Sequence, residues 1–102
     1  MATARGAVSD VGTNSVKLLV ADVAGRVVQP VWETSQQTRL GRGFYQAHRL
    51  QAEAIAATAK AVAEFVTEAR QRQAGSVRII ATSAAREAVN GAELRSAIEQ
   101  AT

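Results

Sequence analysis

The hydrophobic period of the chain changes along its length, and this change constrains the fold most. Up to about Trp32 the apolar residues alternate or run together as in β-strands, whereas from Leu50 to about Gln73 they follow a helical period. A strand-like segment, Val77–Thr82, comes next, and a second helical pattern ends the chain. The sequence therefore predicts an α/β fold with the element order β-β-β-α-β-α.

Three strands are predicted before the first helix. The first spans Ala7–Val11, the second runs from about Ser15 to Val23, and the third begins at Val27. The near-continuous apolar character of the second strand predicts burial on both of its faces. Pro30 places the third strand at a sheet edge or marks a bulge, because proline has no N–H to donate.

The helical segments carry clear boundary signals. The first helix has one apolar stripe, and Gly75 is predicted at its C′ position, just after its end. The strand that follows is reached through a helix and is therefore predicted to pair in parallel with an earlier strand. Asn90 stands at the capping-box distance from Glu93 and predicts the start of the last helix. The stripe of the first helix consists of Ile55, Ala59, Val62, Val66 and Ala69.

Composition excludes several classes of protein. The 102 residues are 47% hydrophobic and fit one soluble domain, and the lack of cysteine excludes disulfides, thiolate catalysis and cysteine-based metal sites. No apolar run approaches the roughly 20 residues of a membrane helix or the apolar stretch of a signal peptide, so we expect a cytoplasmic protein with no membrane partner. The net charge is only +3 and the aromatic residues number four, so we expect no nucleic-acid partner.

The segment Asp10-Val11-Gly12-Thr13-Asn14-Ser15 carries the strongest chemical signal. Gly12 lets a ligand approach the backbone, and the three polar residues after it offer N–H and hydroxyl donors suited to a phosphate. Asp10 would lie beside that phosphate, where a carboxylate requires a bridging cation such as Mg²⁺. The same residues also suit an ordinary hairpin turn.

Three motifs together resemble the N-terminal part of the exopolyphosphatase/guanosine pentaphosphate phosphohydrolase (Ppx/GppA) family, within the actin-like ATPase superfamily. They are Asp10–Ser15 with its continuation to Val20, Thr38–Gly41, and Ala81–Ala88 with the following Asn90-Gly91. The resemblance covers about residues 5–102. It implies an incomplete ribonuclease-H-like half with a mixed sheet, so that residues 1–102 form a partial N-terminal domain of this type.

The resemblance also implies the site residues. Asp10 would bind Mg²⁺, and Arg39 is a further candidate for phosphate contact. The family's catalytic glutamate and its second, glycine-rich phosphate loop are expected beyond Thr102, so no catalytic residue is expected within the chain. The residues expected to bind phosphate are Gly12, Thr13, Asn14, Ser15, Thr82, Ser83 and Arg86.

The sequence thus predicts a fragment of a phosphohydrolase that removes terminal phosphate from inorganic polyphosphate or guanosine pentaphosphate, inactive by itself. One alternative is a non-catalytic anion-binding or assembly module. Another is a fragment of an actin-like sugar kinase or ATPase. The fourth strand is expected to have an unpaired edge, which favours self-association, so we expect a homo-oligomer.

Overall fold

The computed structural model describes residues 3–41, 49–81, 88 and 90–102. The elements within these ranges follow the predicted order β-β-β-α-β-α. The strands are β1 (Ala4–Val11), β2 (Ser15–Ala24), β3 (Val27–Gln37) and β4 (Ser76–Ala81), and the helices are α1 (Ala52–Gln71) and α2 (Gly91–Ala101).

The strands form one mixed sheet in the order β3-β2-β1-β4. β1 is antiparallel to β2 and parallel to β4, so that Val8 lies between Leu19 and Arg78. The parallel pairing predicted for the fourth strand is confirmed, because α1 carries the chain back to the start of the sheet before β4 begins. β1 and β4 end level with each other, with Val11 opposite Ala81.

Pro30 lies in the edge strand β3, beside a β-bulge. Val20 on β2 pairs with Trp32 and Ala21 pairs with Pro30, which leaves Val31 as the extra residue on β3. An edge strand has one row of backbone groups outside the ladder, so the missing N–H of proline is tolerated there. Both features predicted from Pro30 are therefore present.

β2 is buried mainly on one face. Val16, Leu18 and Val20 are at most 1% exposed, whereas Lys17 is exposed and Val23 is 39% exposed on the opposite face. The prediction that β2 is buried on both faces is wrong over most of its length, because both described helices lie on one side of the sheet. We call the side that no described helix covers the open face. It carries Val8, Asp10, Lys17, Leu19, Glu33, Ser35 and Ile80.

α1 supplies most of the remaining core. Its predicted apolar stripe is buried, every member being at most 7% exposed, and Phe65 joins it at 4%. α1 packs against β1 and β2, and α2 packs against α1 with Leu94 buried between them. Neither described helix is long and apolar enough to cross a membrane.

Arg5 on β1 links the C-terminal end of α1 to the sheet through hydrogen bonds. Its Nε and Nη2 donate to the carboxylate of Asp22 at 2.7 and 3.1 Å, and its Nη1 donates to the backbone oxygen of Arg72 at 2.9 Å. The hydrogen bond from Arg5 lowers the pKa of the Asp22 carboxyl below its usual value. The guanidinium of Arg72 in turn lies 3.7 Å from the centre of the Trp32 ring, a cation–π contact.

The C-terminal end of α1 departs from the prediction at one residue. Gln73, with a φ of 67°, takes the left-handed position expected for Gly75, because the helix ends two residues earlier than predicted. The N–H of Gly75 instead donates to the backbone oxygen of Arg5 at 2.8 Å. Glu68 and Arg72, one helical turn apart, form an ion pair at 3.8 Å.

Asn90 precedes α2 as predicted, but its side chain does not cap the helix. Its Oδ1 accepts the N–H of Leu50 at 2.8 Å, and its Nδ2 donates to the oxygen of Leu50 at 2.9 Å and to Glu93 Oε2 at 3.2 Å. The backbone of Asn90, at φ −113° and ψ 29°, lies outside the extended region of a capping residue. This side chain therefore joins the approach to α1 to the start of α2.

Candidate functional site

The turn between β1 and β2 is closed by its own backbone. The N–H of Gly12 donates to the oxygen of Ser15 at 2.9 Å, and a Cβ atom at Gly12 would stand only 2.6 Å from that oxygen. Only glycine therefore fits at this position without a shift of the backbone. Asn14 at the tip is exposed, while Thr13 and Ser15 are half-buried. Hydroxyl and N–H groups in such a small-residue turn are suited to an anion.

Residues 38–41, which follow β3, support this turn through backbone hydrogen bonds. The N–H groups of Thr38 and Arg39 both donate to the oxygen of Asn14 at 3.0 Å, and the N–H of Gly41 donates to the oxygen of Thr13 at 2.8 Å. A methyl group at Gly41 would overlap the side chain of Thr13. These contacts bring together two of the three sequence motifs, Asp10–Ser15 and Thr38–Gly41. No local pattern in the sequence predicts that the two motifs meet.

Two features anchor the supporting segment itself. Leu40 is fully buried in the core, so the residues on either side of it are held against the sheet. Arg39 has a φ of 52°, the left-handed region that glycine favours, and its side chain is exposed. Arg39 therefore stands at the turn, and its side chain forms no hydrogen bond or ion pair with another described residue.

Asp10 lies on the open face, one residue before the end of β1. Its neighbours across the sheet are Lys17 on β2 and Ile80 on β4. The salt bridges among described residues do not include Asp10. A shallow concavity of about 620 Å³ lies over this part of the open face.

A single carboxylate one residue before the end of β1 fits Mg²⁺ better than a metal that needs a protein cage. Mg²⁺ keeps several waters and is commonly held by one or two carboxylates together with substrate phosphates. Within the part of the chain that the structure describes, no group of three or more histidine, aspartate or glutamate side chains could hold a metal. Asp10 is thus suited to a Mg²⁺ ion that arrives with a phosphate.

Three predicted phosphate ligands, Thr82, Ser83 and Arg86, lie outside the described residues. The strand before them, β4, ends at Ala81. Ala81 pairs with Val11 at the same end of the strands as the β1–β2 turn. The chain therefore leaves β4 beside the candidate site.

Comparison with known proteins gives consistent matches. The Ppx/GppA phosphatase family matches residues 18–102. Exopolyphosphatase 2 of Mycobacterium tuberculosis is 42% identical over 94 residues, which are 88% of this chain and 30% of the relative. The crystal structure of the Aquifex aeolicus member of the Ppx/GppA family aligns with a TM-score of 0.89 at 26% identity, covering 97% of this chain and 32% of that one. An exopolyphosphatase-like protein aligns with a TM-score of 0.88 at 31% identity, covering 96% and 30%.

The chain spans less than a third of the length of these relatives. The family match nevertheless covers well over half of this chain, and the mixed sheet with the two described helices matches the actin-like ATPase fold of the family's solved structures. The chain belongs to the Ppx/GppA phosphatase family.

Proposed function

We propose that this chain forms the part of a Ppx/GppA phosphohydrolase that holds the terminal phosphate of inorganic polyphosphate or guanosine pentaphosphate. The observation that carries the proposal is the β1–β2 turn, which is braced by three hydrogen bonds from residues 38–41. A turn fixed before the ligand arrives loses little conformational entropy on binding, which favours affinity.

The proposed contacts come from both sides of the turn. Thr13, Asn14 and Ser15 would donate to phosphate oxygens. Gly12, whose N–H already donates to the Ser15 oxygen, would bind by letting the phosphate approach the backbone. Thr82, Ser83 and Arg86 would complete the site from the segment after β4. The level ends of β1 and β4 support this assignment. Arginine suits such a role because its guanidinium can donate two parallel hydrogen bonds to a phosphate.

Asp10 would hold Mg²⁺ at this site. The ion, when bound, would neutralise charge on the phosphate oxygens during attack by water. Asp10 itself would accept hydrogen bonds from the waters of the ion and so orient it against the turn. The position of Asp10 beside the turn, with no salt bridge to another described residue, supports this role.

We propose that the 102-residue chain binds phosphate groups without hydrolysing them, because the glutamate that would activate water is expected beyond Thr102. Release of phosphate from polyphosphate should therefore be the same for the natural chain and for Asp10→Ala. Faster release by the natural chain, lost in the variant, would contradict this part of the proposal. Binding without turnover is also what a non-catalytic anion-binding module would show.

Binding is tested by titration calorimetry with tripolyphosphate and Mg²⁺. Thr13→Val removes one hydroxyl donor with little change in shape, and it should weaken binding about tenfold, the effect of one charge-assisted hydrogen bond. Thr67→Val is the matched control, because Thr67 is exposed on α1 and the one partner of its hydroxyl among the described residues is the oxygen of Ala63. Equal binding by both variants and the natural chain would refute the assignment of the turn.

The proposal also includes a homo-oligomer in the cytoplasm. β4 is an edge strand whose residues are mostly exposed, Ile79 at 37% and Ile80 at 46%. The outer edge of β4 could pair with β4 of a second copy. Light scattering should give more than one copy per particle, and Ile80→Lys should reduce it to a monomer. A monomeric natural chain would contradict the pairing of β4 strands. The cytoplasmic location is tested separately, by cell fractionation.

A further inference from the structure

We propose that Arg39 is a specificity-determining residue of this site: it contacts a second phosphate group and so favours condensed phosphates over orthophosphate. The inference rests on the proposed function, because it assumes that the β1–β2 turn holds the first phosphate. It adds the residue that contacts the phosphate next to the terminal one.

The backbone conformation of Arg39 is the first observation. Its φ of 52° is one of two left-handed values among the described residues other than glycine, the second being at Gln73. Gln73 has a local reason for this conformation, since it follows the last turn of α1, where a left-handed residue commonly ends a helix. Arg39 follows a strand instead and lies in no helix end.

The surroundings of Arg39 fix that conformation through the backbone alone. The N–H groups of Thr38 and Arg39 converge on one oxygen, that of Asn14, and Leu40 is buried directly afterwards. None of these contacts uses the side chain of Arg39. Glycine would make the same hydrogen bonds and would adopt a positive φ without steric cost. Among the described residues, no contact therefore explains an arginine here, and unfavourable backbone conformations of this kind cluster at ligand sites.

The side chain of Arg39 is available to a ligand. It is exposed, and it has no hydrogen bond or ion pair with any described residue, whereas Arg5, Arg49 and Arg72 each form an ion pair. Its backbone nitrogen lies 3.0 Å from the oxygen of Asn14, so the long side chain starts beside the tip of the turn.

The chemistry of condensed phosphates fits this placement. A phosphate held by the Gly12–Ser15 turn uses the donors of the turn itself, and each further phosphate of the chain brings another negative charge. A guanidinium beside the turn can donate two hydrogen bonds to that next group. Orthophosphate has no next group, so it should gain little from Arg39.

The test compares the affinities of the natural chain for orthophosphate and for tripolyphosphate by titration calorimetry at fixed Mg²⁺ and salt. Arg39→Gln should weaken tripolyphosphate binding about tenfold or more, the effect of losing a charge-assisted contact, and leave orthophosphate within about twofold. Arg26→Gln is the matched control, because Arg26 is exposed in the turn at the opposite end of the sheet. It should leave both affinities within about twofold.

A second variant keeps the test valid if glutamine disturbs the loop. Arg39→Gly should unfold at the same temperature as the natural chain or higher, because glycine suits the left-handed backbone, and it should lose tripolyphosphate affinity as Arg39→Gln does. The salt dependence of tripolyphosphate binding should also become shallower in both variants, because one ionic contact is gone.

The failures of the two proposals are distinguishable. If the natural chain binds both ligands and the Arg39 variants weaken both equally, or neither, the inference is overturned while the proposed function stands. If the natural chain binds neither ligand, the proposed function and the inference are both overturned.

Discussion

Replacement of Asn90 by alanine should destabilise the chain more than its single side chain suggests. Both polar backbone groups of Leu50 depend on Asn90, the N–H at 2.8 Å and the oxygen at 2.9 Å. Leu50 is 2% exposed and Asn90 is 6% exposed, so water cannot readily replace the lost partners. Each buried unsatisfied group costs roughly 1–3 kcal/mol, so the loss of partners for two groups should lower the free energy of unfolding of Asn90→Ala by about 2–6 kcal/mol.

Thermal and urea unfolding measure this effect. For a domain of this size each kcal/mol corresponds to a fall in Tm of roughly 4–8 °C, so Asn90→Ala should lower Tm by about 8 °C or more. The amide of Leu50 should also exchange faster with deuterium in the variant, because its acceptor is gone. Glu93→Gln is the control. It alters the longer bond to Asn90 at 3.2 Å and removes the exposed ion pair with Arg49 at 3.9 Å, and it should change stability by less than about 0.5 kcal/mol. A fall in Tm of under about 3 °C for Asn90→Ala would refute this account of Leu50.

Three further predictions concern stability. Asp22→Asn should change the acid unfolding of the chain. The lowered pKa of Asp22 stabilises the fold above the ordinary carboxyl range, and this contribution is lost as the pH falls through the lowered pKa. The variant should therefore lose less stability than the natural chain between about pH 5 and pH 2 in acid titrations. Thr58→Val should be neutral or stabilising by about 1 kcal/mol in urea unfolding, because the buried Oγ1 of Thr58 has no hydrogen-bond partner among the described residues. A clear loss of stability would show that this hydroxyl has a hydrogen-bond partner in solution. Gly12→Ala should lower the free energy of unfolding by about 1–3 kcal/mol, because the added Cβ would overlap with the Ser15 oxygen. Gly75→Ala is the control: its Cβ would stand 3.6 Å from the nearest backbone oxygen, and its stability should stay within about 0.5 kcal/mol of the natural chain. Similar Tm values for the two variants would contradict the geometry.

The features set by local chemistry were predictable from the sequence. The order of elements follows from the hydrophobic period, and the edge and bulge at Pro30 follow from its missing N–H. The parallel pairing of β4 follows from the helix that precedes it. Each of these depends on neighbours in sequence or on a general rule of chain connection.

The features that depend on distant partners were not predictable. The spacing of Asn90 and Glu93 indicates a capping box, but the amide binds Leu50, which is remote in sequence and shows no pattern that identifies it as the partner. The apolar character of β2 cannot show whether a second layer covers the open face. For the candidate site, the sequence predicted the donors of the turn, whereas the bracing of that turn by Thr38 and Gly41 required the fold.

The central place of β1 in the sheet has a consequence for folding. On one side β1 pairs with β2 through a short turn, and on the other with β4, which arrives only after β3 and α1. Closing the second pairing costs far more chain entropy, so the β1–β2 hairpin should form early and β4 should join late. The β1–β2 turn of the candidate site would thus assemble before the end of β4 beside it. Transient detachment of β4 would open the site on the β4 side, while the β1–β2 turn stays intact.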